Sequence, residues 1–110
     1  MKIYGIEMKE KILKIEKSKL KQKKYTAYVQ DLKNNKIRLI HFGADGYEQF
    51  KDSTDKGYYT KNNHGDPRRR RNYFSRHSSG IQTKKEAIIY EIKKNNKYFN
   101  SKILSHKYLW

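Results

Sequence analysis

Apolar and polar residues alternate up to Phe42, and recur at helical spacing after Asp66. Tyr4, Ile6 and Met8 alternate, and so do Leu13 and Ile15. Met8, Ile12 and Ile15 also fit one face of a helix, but the alternation is the better guide and predicts a strand over Lys11–Lys17. Ser18–Lys24 reads as a basic loop. The segments KYTAYVQDL and KIRLIHF flank Lys33-Asn34-Asn35, and Asn-Asn accepts the positive φ of a tight hairpin turn. Tyr25, Ala27 and Val29 fall on one side of the first segment, with Thr26, Tyr28 and Gln30 on the other. Both strands carry apolar residues on both sides, which predicts helices over one face. Phe42-Gly43 ends the hairpin. GADGYEQF then turns and re-anchors through Tyr47 and Phe50, and a polar loop follows from Lys51.

The second half reads as three helices. Asp66 is a good N-cap and Pro67 suits the first helical position, while Ser78-Ser79-Gly80 supplies a stop. At roughly 100° per residue, Tyr73, His77, Arg70 and Phe74 share one side of this helix, and Arg68, Arg69, Arg71 and Arg76 spread over the other. Arg70, on the inward side, is expected to reach a carboxylate or a carbonyl. Thr83 and Glu86 form a capping-box pattern ahead of an Ile88, Ile89, Ile92 stripe. Asn100 or Ser101 caps a last helix that turns Leu104, Tyr108 and either Ile103 or Trp110 inward. The fold expected is therefore α+β. A small antiparallel β-hairpin or three-stranded meander spans about residues 11–42, followed by three short helices at about 67–77, 84–95 and 101–109. Residues 1–110 form a single small basic domain, with about the first 20 residues and the loop 51–65 expected to be mobile.

Charge sharpens this picture. Lys and Arg number 27 against 11 Asp and Glu, a net +16, which points to nucleic acid, anionic lipid or an acidic protein as partner. A bias to Lys, Asn, Ile and Tyr is also what an AT-rich genome yields, so the clustering of five arginines in His64–His77 carries more weight than the lysine total. Ten tyrosines, four phenylalanines and one tryptophan can build a small core despite the charge. With no cysteine, neither a disulfide framework nor a thiolate zinc site is expected. No apolar run approaches a membrane span, and no signal-peptide core opens the chain, so it is expected to work inside a cell and not to be secreted.

The chemistry available is limited. His41, His64, His77 and His106 are the histidines; a metal site would need three or four ligands to converge, and the arginines beside His64 and His77 oppose a dication. Neither a metal nor a cofactor is expected. Paired histidines with a lysine can cleave RNA by acid–base chemistry; a fuller nuclease site would need metal-binding carboxylates, and Asp45, Glu48, Asp52, Asp55 and Asp66 lie in one region, although Asp45 and Asp66 also read as turn and cap residues. No glycine-rich phosphate loop is present.

Phe42-Gly43, Gly46-Tyr47…Phe50, HGDPRRRRNYFSRH, a threonine-started helix and a closing Leu-Trp occur in that order. This resembles a family of small basic proteins of giant nucleocytoplasmic large DNA viruses, over about Tyr25 to Trp110. The matching positions are Phe42, Gly43, Tyr47, His64, Asp66, Arg68, Arg69, Tyr73, Arg76, His77 and Trp110; between His77 and Leu109 the chain departs from the pattern. The resemblance implies a viral origin, and with it a place in the viral factory of the host or in the virion.

The function expected is non-enzymatic, sequence-tolerant nucleic-acid binding. Arg68, Arg69, Arg71 and Arg76 would meet phosphates and Lys61, Lys84 and Lys85 would extend the patch. Tyr58 and Tyr59 would stack on unpaired bases, and His64 and His77 would contact phosphate. The alternatives are a minor structural virion protein bridging acidic capsid or core proteins, and a metal-independent RNA-cleaving enzyme.

Overall fold

The central strand carries an unbroken apolar face, and the rest of the molecule is layered on it. A computed structural model describes residues 1–110. In chain order the elements are β1 (Lys2–Ile3), β2 (Ile6–Glu7), β3 (Glu10–Lys17), β4 (Lys23–Asp31), β5 (Ile37–Ala44), α1 (Pro67–His77), α2 (Lys84–Lys94) and α3 (Ser101–Tyr108), with a 3-10 turn at Thr60–Asn62. The fold is α+β, as the patterning predicts. Strands β3, β4 and β5 form an antiparallel meander in that order, and β1 and β2 a separate small hairpin. No helix is long and apolar enough to cross a membrane.

Ala27 on β4 faces Ile15 and Ile40, and Tyr25 faces Phe42; all five are buried. Helix α3 covers this face with Ile103 and Leu104, Leu109 just past its end joins them, and α2 adds Ile88 and Ile92 to the same core. The other face of the sheet stays open, leaving Ile37 and Leu39 exposed. A bulge in β3 resolves the ambiguous spacing of Ile12 and Ile15. Leu13 is the extra residue between the pairs Ile12–Val29 and Lys14–Tyr28, so two isoleucines three apart both turn inward. The hairpin β1–β2 turns at Tyr4-Gly5, both at positive φ (48° and 80°), an unusual state for tyrosine. Strand β4 begins at Lys23, so the expected basic loop Ser18–Lys24 is shorter than the sequence reading has it.

Long-range polar contacts tie the layers together. Glu10 is buried, and takes hydrogen bonds from Arg38 Nε (2.7 Å) and Nη2 (2.9 Å) and from the Phe99 N–H (2.9 Å). The segment after β5 folds back on the sheet: Tyr25 donates to buried Asp52, and Tyr59 packs edge-on against the Tyr25 ring. Gly43 lies where this segment, β4 and the C-terminal turn meet. It has φ +80°, and a Cβ there would stand 2.8 Å from Leu109 Cδ1 and 3.1 Å from Lys24 Cβ. Gly43→Ala is expected to cost about 1–3 kcal/mol, read as a lower urea midpoint at unchanged slope. A variant as stable as the parent would show that Leu109 moves aside freely.

Candidate nucleic-acid interface

Helix α1 begins where the sequence places it. The Asp66 carboxylate accepts from the N–H groups of Arg68 (2.9 Å) and Arg69 (3.4 Å), satisfying donors that a helix start leaves unpaired. The Arg68 N–H bond is the main cause that holds the Asp66 carboxyl below the usual carboxylate range. The Asp66 N–H in turn donates to His64 Nδ1 (2.9 Å), so the His64 proton sits on Nε2, which is buried without a partner. The Thr83–Glu86 pattern ahead of α2 finds the N-cap position, but Thr83 makes no side-chain capping bond.

The underside of α1 rests on its own small core, apart from the main one. Tyr73, Phe74 and Ala87 form it, with Ile81 and Trp110 at its edge. Trp110 stacks on Tyr73 with ring centroids 4.1 Å apart and planes 3° from parallel. His64 follows Trp110 at 5.2 Å and His77 follows Tyr73 at 4.6 Å, making a four-ring ladder beneath the helix. The two histidines are thus held at opposite ends, with two rings between them. Burial holds both imidazoles below their ordinary range, seconded by Arg69 at His64 and by Arg76 and Lys102 at His77.

A buried polar network completes the seat. Ser78 Oγ donates to Glu91 Oε2 (2.9 Å), so it must accept from His106 Nε2–H (2.8 Å); His106 Nδ1 is then bare and accepts from the Tyr73 hydroxyl (2.9 Å). His106 has no exposed surface, and burial pushes its imidazole down to about 3. Tyr73, Ser78, Glu91 and His106 therefore join α1 to α2 and α3 through a neutral histidine of fixed tautomer.

On the outer side Arg68, Arg69, Arg71 and Arg76 are all exposed. Arg69 and Arg76, two turns apart, line a cleft of about 400 Å³ together with Lys23, Tyr47, His77 and Trp110. Its floor is pinned by Lys24, whose buried ammonium donates to the Tyr47 carbonyl (2.6 Å) and to Gln49. Gln49 then donates to the Tyr59 carbonyl (2.8 Å) and to Asn63 (2.7 Å). Glu48 is the one acidic side chain lining the cleft, and it pairs with Arg69 at 3.1 Å. Both partners are largely exposed, so the pair is worth no more than about 1 kcal/mol and opens readily to a competing anion. Arg68, Arg71 and Arg76 have no acidic partner within 4.0 Å.

A sequence profile described as a family of unknown function, DUF5754, matches residues 13–77, more than half of the chain. The chain belongs to this family. The DUF5754 segment runs from within β3 to the last residue of α1, so it holds the sheet and the arginine helix but not α2 or α3. No curated protein and no solved structure matches the chain. The family carries no assigned function, so membership speaks to kinship and not to activity or viral origin.

Several residues predicted for the site lie elsewhere. Tyr59 is buried, its ring given over to packing on Tyr25 and unable to offer a face to a base. Tyr58 stays 54% exposed with Lys17 5.6 Å from its ring centroid, which leaves it open to stacking. Lys61 is exposed in the 3-10 turn but does not line the arginine cleft. Lys84 and Lys85 do not extend the arginine patch. Lys84 donates to the Lys107 carbonyl (2.9 Å), and Lys85 lies 5.8 Å from the ring centre of Tyr4. His64 is turned into the ladder, while His77 lines the cleft. Arg70 reaches neither a carboxylate nor a carbonyl: its guanidinium lies over Phe50 (4.4 Å) and its Nε has no partner, because the elements packed there bring a ring and no acid. No three His, Asp or Glu side chains converge as a metal cage. Lys23, Lys24, Gln49 and Trp110 were not among the predicted site residues. They come to the cleft from strand, loop and tail, and only tertiary folding brings them together.

Proposed function

We propose that the chain is a non-enzymatic, sequence-tolerant nucleic-acid-binding protein, with α1 and the cleft beside it receiving backbone phosphates. The uncompensated charge of α1 carries this reading. The helix has five arginines, no acid in its first turn, and one exposed carboxylate pair to offset them. Across the molecule only Lys14, Arg38, Arg69 and Lys102 among 27 Lys and Arg pair with side-chain carboxylates. Like charges aligned on a helix repel, and a row of phosphates relieves that repulsion while releasing counterions. Arginine suits the role because its planar donors can grip phosphate oxygens in pairs.

Contact with four phosphates of duplex gives a log–log salt slope of about −3.6, indifferent to sequence. Substituting Arg68, Arg69, Arg71 and Arg76 together by glutamine is expected to leave only weaker binding with a clearly shallower slope, with the fold retained by circular dichroism. No binding at low salt, or a quadruple variant with the parent slope, would remove the basis for this function.

One observation favours a second reading, a structural protein seated on an acidic protein partner. The open sheet face puts exposed Ile37 and Leu39 across β4 from Lys11 and Lys14, a mixture of apolar and cationic groups that suits protein more than phosphate. Co-purification that survives nuclease treatment and is lost in Leu39→Asp would favour it.

A further inference from the structure

Lys84, which does not join the arginine patch, lines a second basic cleft with Lys2 and Lys107. This cleft measures about 250 Å³ and lies between the β1–β2 hairpin, α2 and α3. Lys2, Lys84 and Lys107 line it, beside Tyr4, Ile3 and Ile88. It has no acidic lining residue, and no carboxylate comes within 4.0 Å of any of the three ammonium groups. Lys84 is half-buried, and one of its N–H groups is fixed on the Lys107 carbonyl. Burial, then the charges of Arg70 and Lys107, push its amine down to about 8. Arg70 itself has a buried Nε without a partner. A folded chain gathers cations out of solvent in this way at a cost, and an anion in the cleft offsets that cost.

Helix α3 separates the two clefts. Ser101 and Ser105 line the arginine cleft, whereas Lys107 lines the lysine cleft and stands roughly 200° around the helix from Ser105. One molecule therefore has basic clefts on two sides.

We propose that the Lys2–Lys84–Lys107 cleft is a second backbone-phosphate site, and that with the arginine helix on the other side of α3 a single molecule holds two nucleic-acid segments at once. This rests on the nucleic-acid reading of α1. The ligand is the phosphodiester backbone: three lysines and no acid line the site, so it reads charge and not sequence.

The test is capture of a fluorescent duplex by a biotinylated one in the presence of the full chain, with mass in solution read by light scattering. The parent is expected to bridge the two at the mass of a single chain. K84Q/K107Q is expected to bind a single duplex with the parent salt slope, yet to capture a second far more weakly, the salt slope of the capture step becoming shallower by about two. K2Q lies on the exposed hairpin and spares the packed layers; it should weaken capture on its own, which keeps the idea testable if the double variant fails to fold. A parent that binds one duplex and never captures a second would overturn the second site and leave the arginine helix untouched. So would lysine variants that capture as well as the parent. A parent that binds no duplex would bring down both readings.

Discussion

Between about pH 7.5 and pH 4 the domain is expected to lose on the order of 3 kcal/mol of stability through His106 alone. The unfolded chain protonates this imidazole near 6.5, whereas the folded chain resists until about 3. In that window the unfolded state binds the extra proton, so stability is full above about 6.5 and drains away as the pH falls toward 3. The cause is geometric. Nδ1 already accepts from Tyr73, Nε2–H already serves Ser78, and the charges nearby at His77, Lys102 and Lys84 are of the sign an imidazolium would carry. Urea midpoints across the range measure it. His106→Gln should lower stability at neutral pH and flatten the slope below about 6.5. A parent curve flat over that range, or a variant with the parent's slope, would refute the assignment.

Phe74→Ala is expected to cost about 3–5 kcal/mol. Phe74 is fully buried, meets His106 edge-on at 5.0 Å, and belongs to a core of only three buried residues. Because that core is small and separate from the main one, the loss should fall on α1 first. Hydrogen exchange would then show α1 amides losing protection while β4 amides keep theirs, and duplex affinity dropping with the docked fraction of the helix. Loss spread evenly over the molecule would mean that the two cores are one cooperative unit.

The sequence is legible where short-range chemistry decides. Asp66-Pro67 starts α1 and the Tyr25, Ala27, Val29 alternation marks the buried side of β4, because a cap and a two-residue period need no distant partner. It is opaque where distant partners decide. Tyr59 sits in a polar stretch and reads as exposed; Tyr25, more than thirty residues earlier, is what buries it. The Tyr4-Gly5 turn escapes notice since tyrosine seldom takes positive φ. Glu91 and His106 read as the polar side of their helices, yet both are buried, each needing Ser78 to be satisfied there. Lys84 follows α1 closely in sequence but lines a different cleft, as the turn at Ser78–Gly80 redirects the chain.

The arginines of α1 fall inside the stretch shared with the family, while Ala87, Glu91, His106 and Trp110, on which the helix rests, fall outside it. Tyr73 and Phe74 lie within that stretch, so the seat of the helix straddles its end. Substitutions at Ala87, Glu91, His106 or Trp110 can tilt or loosen the helix without altering one guanidinium.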